Sequence, residues 1–322
     1  MNVLILSAGT RNKIVQYFKK ELEGSGTVIA TDCSNLAPAI YEADKYYIVP
    51  RINDPGYIEI IIDICKKEKI DTLISLIDPE LSLISKNIEK FRQINVNPII
   101  SDYDKVEMCF DKYKMYEFLT NNNFRIIKSY IDKETFYKDL DENKIKFPVF
   151  VKPVKGSASL NINKVNSKEE LENIWKASEN LMIQEFMNGQ EYGADVYIDM
   201  ISNELVSIFI KKKLKMRAGE TDKSVSAKNQ ELFELIKKFV KKAGFKGIID
   251  IDIFEVNNKY YISEVNPRFG GGYPHAYECG VNVPKMIINN IKGNKNEEQI
   301  GNYQEDIYMM KYNEIKIIKN QK

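Results

Sequence analysis

The chain has 322 residues, of which 43% are apolar and 29% charged, and its net charge is +1. This length is sufficient for two or three domains with a large buried core, and the balanced charge excludes recruitment of nucleic acid or of a membrane surface by an overall field. No apolar run reaches membrane-spanning length, and residues 1–20 lack the features of a signal peptide, so we expect a cytoplasmic protein.

Residues 1–102 alternate strands with helices. Short buried strands are predicted at "NVLILSAG", "TVIATD", "DTLISLI" and "VNPIIS", and helices at "GYIEIIIDICKKEK" and "PELSLISKNIEKFR". This alternation indicates an open parallel α/β sheet, in which ligands bind beyond the carboxyl ends of the strands. Asp32, Asp78 and Glu80 lie at such ends. The turn "SAGTRNK" has one glycine where a dinucleotide fingerprint has three, so nicotinamide binding is disfavoured.

After residue 103 the pattern becomes α+β. "DKVEMCFDKYKMYEFLTNN" predicts a helix, "FRIIKSYI" and "FPVFVKPV" predict strands, and residues 167–180 predict a helix. From residue 181 strands dominate, interrupted by a helix at 229–243. "EVNNKYYI" predicts a hairpin that turns at its Asn-Asn pair. Residues 293–305 are polar and loop-like, and "DIYMMKYNEIKII" predicts a closing strand.

Cysteine and histidine usage excludes several kinds of active site. Cys33, Cys65, Cys109 and Cys279 form no CxxC pair, so we expect buried thiols and neither disulfides nor a zinc site. Because His275 is the single histidine of the sequence, a His-rich metal centre or a Ser-His-Asp triad is not expected.

The predicted hairpin ends in an unusual group of polar residues, "SEVNPRFGGG". Asp250 and Asp252 share a face of its first strand, and Glu264 and Asn266 share a face of its second strand. A turn at the Asn-Asn pair brings Asp252 close to Glu264. Carboxylate and amide oxygens suit Mg²⁺ with phosphate, and Arg268 can pair with a phosphate through its planar fork. The alternative is a solvated, charge-rich hairpin.

Two further segments carry candidate nucleotide contacts. In "FPVFVKPVKGSAS", a strand delivers Lys152 to a loop of small residues whose backbone N–H groups can hold a polyphosphate; the alternative is a surface lysine beside an ordinary turn. The backbone of "IQEF" is a candidate to bind a purine edge, with Met182, Ile183 and Phe186 as apolar walls. Glu185 and Glu191 are candidate ribose ligands; the alternative is a charged strand edge.

The segments "DKYKMYEFL", "FPVFVKP", "IQEFMNGQEYGADVYID" and "SEVNPRFGGGYPHAYECGVNVPKMI", in this order, resemble the ATP-grasp superfamily. The chain is most similar to its carbamoyl phosphate synthetase large-chain-like and pyrrolysine-synthesis ligase-like members. The resemblance implies a pre-ATP-grasp α/β domain at 1–102, a small subdomain with a phosphate-binding lid loop at 103–180, and a large subdomain with the metal and substrate site at 181–322. The two subdomains would clasp ATP.

The resemblance also assigns site residues. The implied nucleotide contacts are Lys112, Lys152, Lys155, Gly156, Ser157, Ser159, Gln184, Glu185, Phe186 and Glu191. Asp252, Glu264 and Asn266 would ligate Mg²⁺, with Asp250 as the alternative to Asp252, and Arg268 would stabilise the transferring phosphoryl group. Related loops often carry arginine where Val154 stands and glycine where Asn161 stands, which puts one phosphate or substrate contact in doubt.

The implied reaction is ATP-dependent ligation of a small-molecule carboxylate to an amine through an acylphosphate, and a homodimer is compatible with it. In "RAGE", Arg217 is the candidate for a carboxylate and Glu220 for an amine. Gly270 to Gly272 and His275 would line the same cavity, Asp78 and Glu80 would close over the amine, and Lys211, Lys212 and Lys213 would form a solvated face. The alternatives are an enzyme that phosphorylates a carboxylate or carbamate for another acceptor, and a non-catalytic ATP-binding module.

Overall fold

The computed structural model describes residues 1–156 and 162–319, and none of the helices in these ranges is long and apolar enough to cross a membrane. The chain begins with strands β1 (Asn2–Leu6), β2 (Thr27–Asp32), β3 (Lys45–Ile48), β4 (Thr72–Ser75) and β5 (Asn97–Pro98). Between them lie helices α1 (Asn12–Leu22), α2 (Tyr57–Lys67), α3 (Asp78–Lys86) and α4 (Ile88–Arg92), with a 3-10 helix at Pro38–Glu42. The strands form a parallel sheet, the N-terminal sheet, in the order β3-β2-β1-β4-β5.

The central strand of the N-terminal sheet is buried on both faces. Val3 and Ile5 of β1 belong to the apolar cluster that contains α1, whereas Leu4 and Leu6 belong to the cluster that contains α2 and α3. A strand covered on both faces carries a continuous apolar run, and the alternation of such strands with helices predicted the parallel sheet. The helix predicted after β4 is in fact two, α3 and α4, separated at Asn87.

The predicted helix across residues 104–122 is also two helices, α5 (Tyr103–Phe110) and α6 (Lys112–Asn121). The prediction of one continuous helix was wrong at Asp111, whose backbone is extended and whose side chain accepts hydrogen bonds from the backbone N–H groups of Tyr113 and Lys114, both at 3.1 Å. An aspartate that caps the second helix in this way ends the first one. The break places Lys112 at the first position of α6.

A second sheet, the small sheet, is antiparallel and consists of β6 (Ser129–Tyr130), β7 (Val149–Pro153), β8 (Asn163–Val165) and β9 (Leu181–Glu185) in the order β6-β9-β7-β8. Helices α7 (Lys133–Asp141) and α8 (Lys168–Ala177) cover it. Phe136, Val149, Leu171 and Ile183 form a separate apolar cluster, the small core. The strand predicted at "FRIIKSYI" is reduced to two residues.

The third sheet, the large sheet, is antiparallel. Its strands are β10 (Gln190–Ile198), β11 (Leu205–Arg217), β12 (Glu220–Ala227), β13 (Gly247–Val256), β14 (Lys259–Asn266) and β15 (Tyr308–Met310), in the order β14-β13-β10-β11-β12-β15. Helices α9 (Gln230–Ala243), α10 (Tyr273–Glu278) and α11 (Val283–Ile291) accompany it. β12 was not predicted because the residues that it buries, such as Thr221, Ser224 and Ser226, are polar. The predicted closing strand is shorter than expected.

The hairpin of β13 and β14 contains a one-residue bulge. Ile253 pairs with Ile262, but Asp252 pairs with Glu264, so Ser263 has no partner on β13. Side chains of directly opposed residues share a face, and a slip of one residue exchanges the two faces of a strand. Beyond the bulge, Glu264 therefore shares the face of Asp252.

Residues from the N-terminal sheet and the large sheet share one apolar cluster, the main core, which also includes Met115 and Leu119 of α6. At this junction Tyr17 stacks on Tyr277 with ring centroids 3.6 Å apart, and the Tyr17 hydroxyl donates to Glu278. The packing thus groups α6 with the large sheet. The predicted boundaries at residues 102 and 180 stay predictions.

The left-handed backbone at the turn of the β13–β14 hairpin can be tested by substitution of Asn258. Asn257 and Asn258 both have positive φ, 52° and 55°, as the predicted turn requires. Asparagine tolerates the left-handed region because its side chain can hydrogen-bond locally, whereas alanine cannot. For Asn258→Ala we therefore expect a loss of roughly 1–2 kcal/mol in the free energy of unfolding. Asn258→Gly should not lose stability. Urea unfolding of both variants would measure this, and equal losses would contradict it.

Candidate active site

One face of the large sheet carries charged side chains from four neighbouring strands. The registers of the strand pairs place them together. They are Glu191 and Asp195 on β10, Lys211 and Lys213 on β11, Asp250 and Asp252 on β13, and Glu264 with Asn266 on β14. Charges are buried at low cost only when they are paired, so the pairing shows which of these groups remain open to a ligand.

The two lysines of β11 are not solvated, and this prediction was wrong. Lys211 is 1% exposed and pairs with Asp195, which is also buried. Lys213 is 8% exposed, and its Nζ lies 2.6 Å from both Glu191 Oε1 and Asp252 Oδ1. Burial lowers the pKa of Lys213, but the carboxylates of Asp252 and Glu191 raise it above its usual value, so the ammonium stays charged. Only alternate residues of β11 face this cluster, and Lys212 is half-buried on the other side.

The candidate metal ligands differ in how far they are already engaged. Asp252 is held by Lys213, and Asn266 Oδ1 accepts a hydrogen bond from Arg268 Nη2 at 3.1 Å. The Glu264 side chain makes no hydrogen bond to another described residue, and the residue is half-buried. Its partial burial raises its pKa, while the charge of Lys152 opposes this. A half-buried carboxylate without a hydrogen-bond donor is the group of this cluster with the most to gain from a cation.

The donor set of Glu264 and Asn266 fits Mg²⁺ in part. Both offer the hard oxygen ligands that Mg²⁺ prefers. Residues 1–156 and 162–319 contain no group of three or more His, Cys, Asp or Glu side chains arranged to hold a metal. A Mg²⁺ at this place would therefore need oxygen ligands from a bound phosphate, which is the usual mode for this ion. Asp252 could join through Oδ2, because Lys213 contacts its Oδ1.

The small sheet and α6 each supply one lysine near this charged face, since the charges of Glu264, Asp252 and Lys112 all act on Lys152. Lys152 is 7% exposed, and its Nζ donates to Gln184 Oε1 at 2.7 Å; Gln184 in turn donates to Ser129. Burial lowers the pKa of Lys152 to about 8, with Glu264 acting against the shift and Lys112 adding to it. Lys112 Nζ donates to the carbonyl of Gly156 at 2.5 Å. Both ammonium groups thus stand where an anion would stabilise their charge.

The remaining predicted nucleotide contacts lie in the loop after β7 and at the end of β9. Lys155 forms an isolated bridge with Asp111, which joins the start of the loop to α6. Ser157 and Ser159, and the position of Asn161, lie outside the described residues. The backbone N–H of Glu185 donates to Lys128 O at 2.9 Å. Phe186 is partly exposed, with the Lys164 ammonium 4.3 Å above its ring.

Two apolar residues expected at the purine wall are not accessible. Met182 and Ile183 are 0% exposed, and Ile183 lies in the small core. Of the three predicted wall residues, Phe186 is the one that the structure leaves partly open.

The glycine run at the end of β14 allows charged groups to approach the backbone. A Cβ on Gly270 would lie 2.4 Å from Asp250 Cγ, and one on Gly271 would lie 2.7 Å from Glu220 Cδ. A Cβ on Gly272 would lie 2.8 Å from Lys211 Cε. Side chains at these positions would displace one charged group each, so the run is required by the packing around it.

Residues of the N-terminal sheet reach the same place. Asp78 accepts hydrogen bonds from Arg268 Nε at 3.1 Å and Nη2 at 2.9 Å. Arg11 Nη2 lies 2.9 Å from Glu220 Oε1. Arg11 was not singled out from the sequence, although it belongs to the turn after β1 where ligands of such sheets bind.

Two other predicted substrate residues, Glu80 and Arg217, lie apart from these contacts. Glu80 is fully buried and accepts hydrogen bonds from Ser7, Tyr57 and Ser75, so it cannot close over a substrate without breaking this network. Arg217 has a side chain that is 51% exposed and pairs with Asp222 at 3.2 Å.

His275, on α10, is a structural residue that joins this helix to the large sheet. It is 2% exposed; its Nε2 lies 2.9 Å from the carbonyl of Ile307 and its Nδ1 lies 2.8 Å from Ser224 Oγ. Since a carbonyl only accepts, Nε2 carries the proton and Nδ1 accepts from the serine hydroxyl. Burial lowers the pKa of the imidazole to about 4, so the neutral form is held at neutral pH.

Cysteine accessibility differs among the four positions. Cys65 and Cys109 are buried, as expected, whereas Cys279 is half-buried and Cys33 is exposed, so the expectation was wrong for Cys33.

Comparison with known families agrees with this geometry. The family model described as "ATP-grasp domain" matches residues 109–272, and the model described as "PylC-like, N-terminal domain" matches residues 3–99. The chain belongs to the ATP-grasp family. This confirms the predicted fold class and the predicted ATP-grasp ligase class of enzyme. The matched range of the ATP-grasp domain runs from α5 to the glycine run.

Individual relatives are distant. The chain is 26% identical over 274 residues to the carbamoyl phosphate synthase large chain of Clostridium beijerinckii, which covers 80% of this chain but 25% of that protein. It is 27% identical over 219 residues to the coenzyme gamma-F420-2:alpha-L-glutamate ligase of Methanococcus maripaludis, covering 63% of this chain and 72% of that protein. Among solved structures, the chain resembles the biotin carboxylase domain dimer of Hydrogenobacter thermophilus 2-oxoglutarate carboxylase, which was crystallised with MgADP and bicarbonate. The TM-score is 0.75 and the sequence identity is 16%, and the match covers 95% of this chain and 73% of that chain.

The state of His275 predicts a pH dependence of stability. Its pKa is about 4 in the folded protein and 6.5 in the unfolded chain, so the unfolded state binds more protons between these values. The contribution is fully present above pH 6.5 and is lost as the pH falls toward 4. In His275→Gln the free energy of unfolding should change less between pH 7 and pH 5 than in the wild type. Urea unfolding at both pH values would show this, and parallel pH profiles would refute it.

Proposed function

We propose that the protein is a Mg²⁺-dependent ATP-grasp ligase that phosphorylates a small-molecule carboxylate and couples the acylphosphate to an amine. The observation that supports it most is that Lys152 of the small sheet and Glu264 of the large sheet are close enough for their charges to act on one another. A buried ammonium with a lowered pKa is thus near a half-buried carboxylate whose side chain no described residue hydrogen-bonds. A phosphate on the lysine side and a cation on the carboxylate side would satisfy both groups.

Each group has a distinct role in this proposal. Lys112 and Lys152 would hold the phosphates of ATP, and Phe186 would contact the base beside backbone groups of Glu185. Glu264 and Asn266 would hold Mg²⁺, with Asp252 as a third ligand. When bound, Mg²⁺ would neutralise charge on the phosphate oxygens. Glu191 would contact the ribose while remaining beside Lys213.

Arg268 would stabilise the transferring phosphoryl group by its position. Its guanidinium is fixed by Asp78 and Asn266 and by the carbonyl of Phe269, so it requires little reorganisation during the reaction. Phosphoryl transfer depends on such positioning and charge neutralisation and needs no protein nucleophile. This is consistent with a site whose neighbouring histidine, His275, is neutral and structural.

Relatives provide a precedent for the coupling step. Names such as coenzyme gamma-F420-2:alpha-L-glutamate ligase describe joining of a carboxylate to an amine, and the biotin carboxylase structure contains MgADP. Two alternatives remain from the sequence, an enzyme with another acceptor for the phosphorylated carboxylate and an ATP-binding module without chemistry. A cytoplasmic location and a homodimer remain expectations.

Glu264→Gln should abolish catalysis while preserving the shape of the site. We expect ADP release from MgATP, stimulated by one pool of small carboxylates and amines, to fall roughly 100-fold or more, because glutamine lacks the negative charge that would balance Mg²⁺ in this site. Glu255→Gln, the same change on the same hairpin, is the matched control, since Glu255 bonds Tyr192 outside the charged cluster.

The products separate the alternatives. An amide together with ADP supports the ligase, and a phosphorylated product that is released without an amine supports the alternative acceptor. ATP binding without stimulation by any pool would contradict the ligase and favour the binding module.

A further inference from the structure

Two ion pairs cross the junction between the N-terminal sheet and the large sheet in opposite directions. Arg11, at the end of the turn after β1, pairs with Glu220 at the start of β12. Asp78, at the start of α3, pairs with Arg268 after β14. Each sheet thus contributes one cation and one anion to the same place. The charge of Arg268 and those of Asp250 and Asp78 all act on Arg11, so the two pairs are close to one another.

The junction does not need these ion pairs for cohesion. The main core is continuous across it, and Tyr17 stacks on Tyr277. Ser101 Oγ donates to the carbonyl of Lys246 at 2.9 Å, which adds a further hydrogen bond across the junction. Partly buried ion pairs contribute little net stability because desolvation offsets most of the attraction. Their presence beside the phosphoryl end of the cleft therefore calls for another reason.

The two arginines differ in how well their donors are satisfied. Arg268 makes four hydrogen bonds, two of them to Asp78. The Arg11 side chain is 22% exposed, and its one contact with the described residues is the ion pair with Glu220. A guanidinium has five N–H donors. Most of the donors of Arg11 are therefore free for an anion, and burial lowers its pKa in the absence of one.

Glu220 remains open to a further cation. Its side chain is 41% exposed, and its second partner, Lys311 Nζ at 2.7 Å, keeps it neutralised when Arg11 turns toward a ligand. Gly271 lies directly against its carboxylate, and a Cβ there would be 2.8 Å from Oε2. A guanidinium with free donors beside a half-exposed carboxylate matches a ligand that carries an anionic and a cationic group on the same carbon atom.

We propose that Arg11 and Glu220 bind the α-carboxylate and the α-ammonium group of an amino acid that serves as the amine substrate. This rests on the ligase function proposed above. Arg11 takes the role that the sequence suggested for Arg217, whose exposed side chain is paired with Asp222. Since Arg11 holds the α-carboxylate, that group is not the one activated, and the product keeps a free carboxylate.

The coupling step balances with the acylphosphate as the second reactant. The amine nitrogen forms the amide bond to the acyl carbon, the bond between that carbon and the phosphate oxygen breaks, and the electron pair leaves with the phosphate. Of the three protons of the ammonium group, one stays on the amide, one leaves on HPO₄²⁻ and one is released to solvent.

The test compares amino acids with the corresponding amino acid amides, which lack the carboxylate. ADP release from MgATP is measured with the stimulating carboxylate and each acceptor, in the wild type and in Arg11→Met. Arg51→Met is the matched control, because Arg51 is exposed on the same part of the chain. We expect the KM for the amino acid to rise roughly 10- to 100-fold in Arg11→Met, as for a lost charged hydrogen bond, with the KM for ATP unchanged. The preference for the acid over the amide should disappear.

Thermal unfolding with MgADP and the same acceptors gives a readout that does not depend on catalysis. An amino acid that raises the Tm of the wild type and of Arg11→Lys, but not of Arg11→Met, supports the assignment. Equal effects of amino acids and amides on the wild type, or an unchanged KM in Arg11→Met, overturn it. If no acceptor stimulates ADP release, the ligase proposal fails, and the thermal shifts alone decide whether Arg11 binds an amino acid.

Discussion

One unpaired residue, Ser263, determines which side chains of β14 join the charged face of the large sheet. Before it, Tyr260 and Ile262 point into the main core; after it, Val265 points there instead, and Glu264 and Asn266 take the opposite face. Without the bulge, the carboxylate of Glu264 would point toward the apolar side of the sheet, away from Lys152. The proposed metal site depends on this local shift of register, because Asp252 on the neighbouring strand follows the regular alternation.

The charged face can exist because most of its charges are paired within the sheet. Lys211 and Lys213 are surrounded by Asp195, Asp252 and Glu191, and the glycine run leaves room for three of the charged groups. Such a layer adds little to stability, since desolvation offsets the attraction of buried pairs. The effect of this layer is on the positions of side chains, because Lys213 holds Asp252 and Glu191 in place and the Glu264 side chain stays without a hydrogen bond from a described residue.

Much of this arrangement could be predicted from the sequence, for identifiable reasons. The parallel sheet followed from continuous apolar strands, and the hairpin followed from its Asn-Asn turn. The bulge also left a trace, because the buried positions change from even to odd numbers between Ile262 and Val265. The burial of Lys211 could not be predicted, since its acidic partner Asp195 lies on a strand whose register no local pattern specifies. Arg11 was missed for the same reason, as Glu220 is more than 200 residues away in the chain.

The two lysines proposed to bind phosphate belong to different packing units. Lys112 begins α6, whose apolar side chains lie in the main core, whereas Lys152 lies on β7 in the sheet of the small core. The described residues connect the two units at this place through the Lys112 N–H, which donates to Val154 O at 2.9 Å, and through the bridge between Asp111 and Lys155. A ligand held by both lysines would add a further connection, so its affinity would be thermodynamically linked to the relative position of the two units. Nucleotide affinity would then vary with a substitution at Asp111, which is not among the proposed nucleotide contacts.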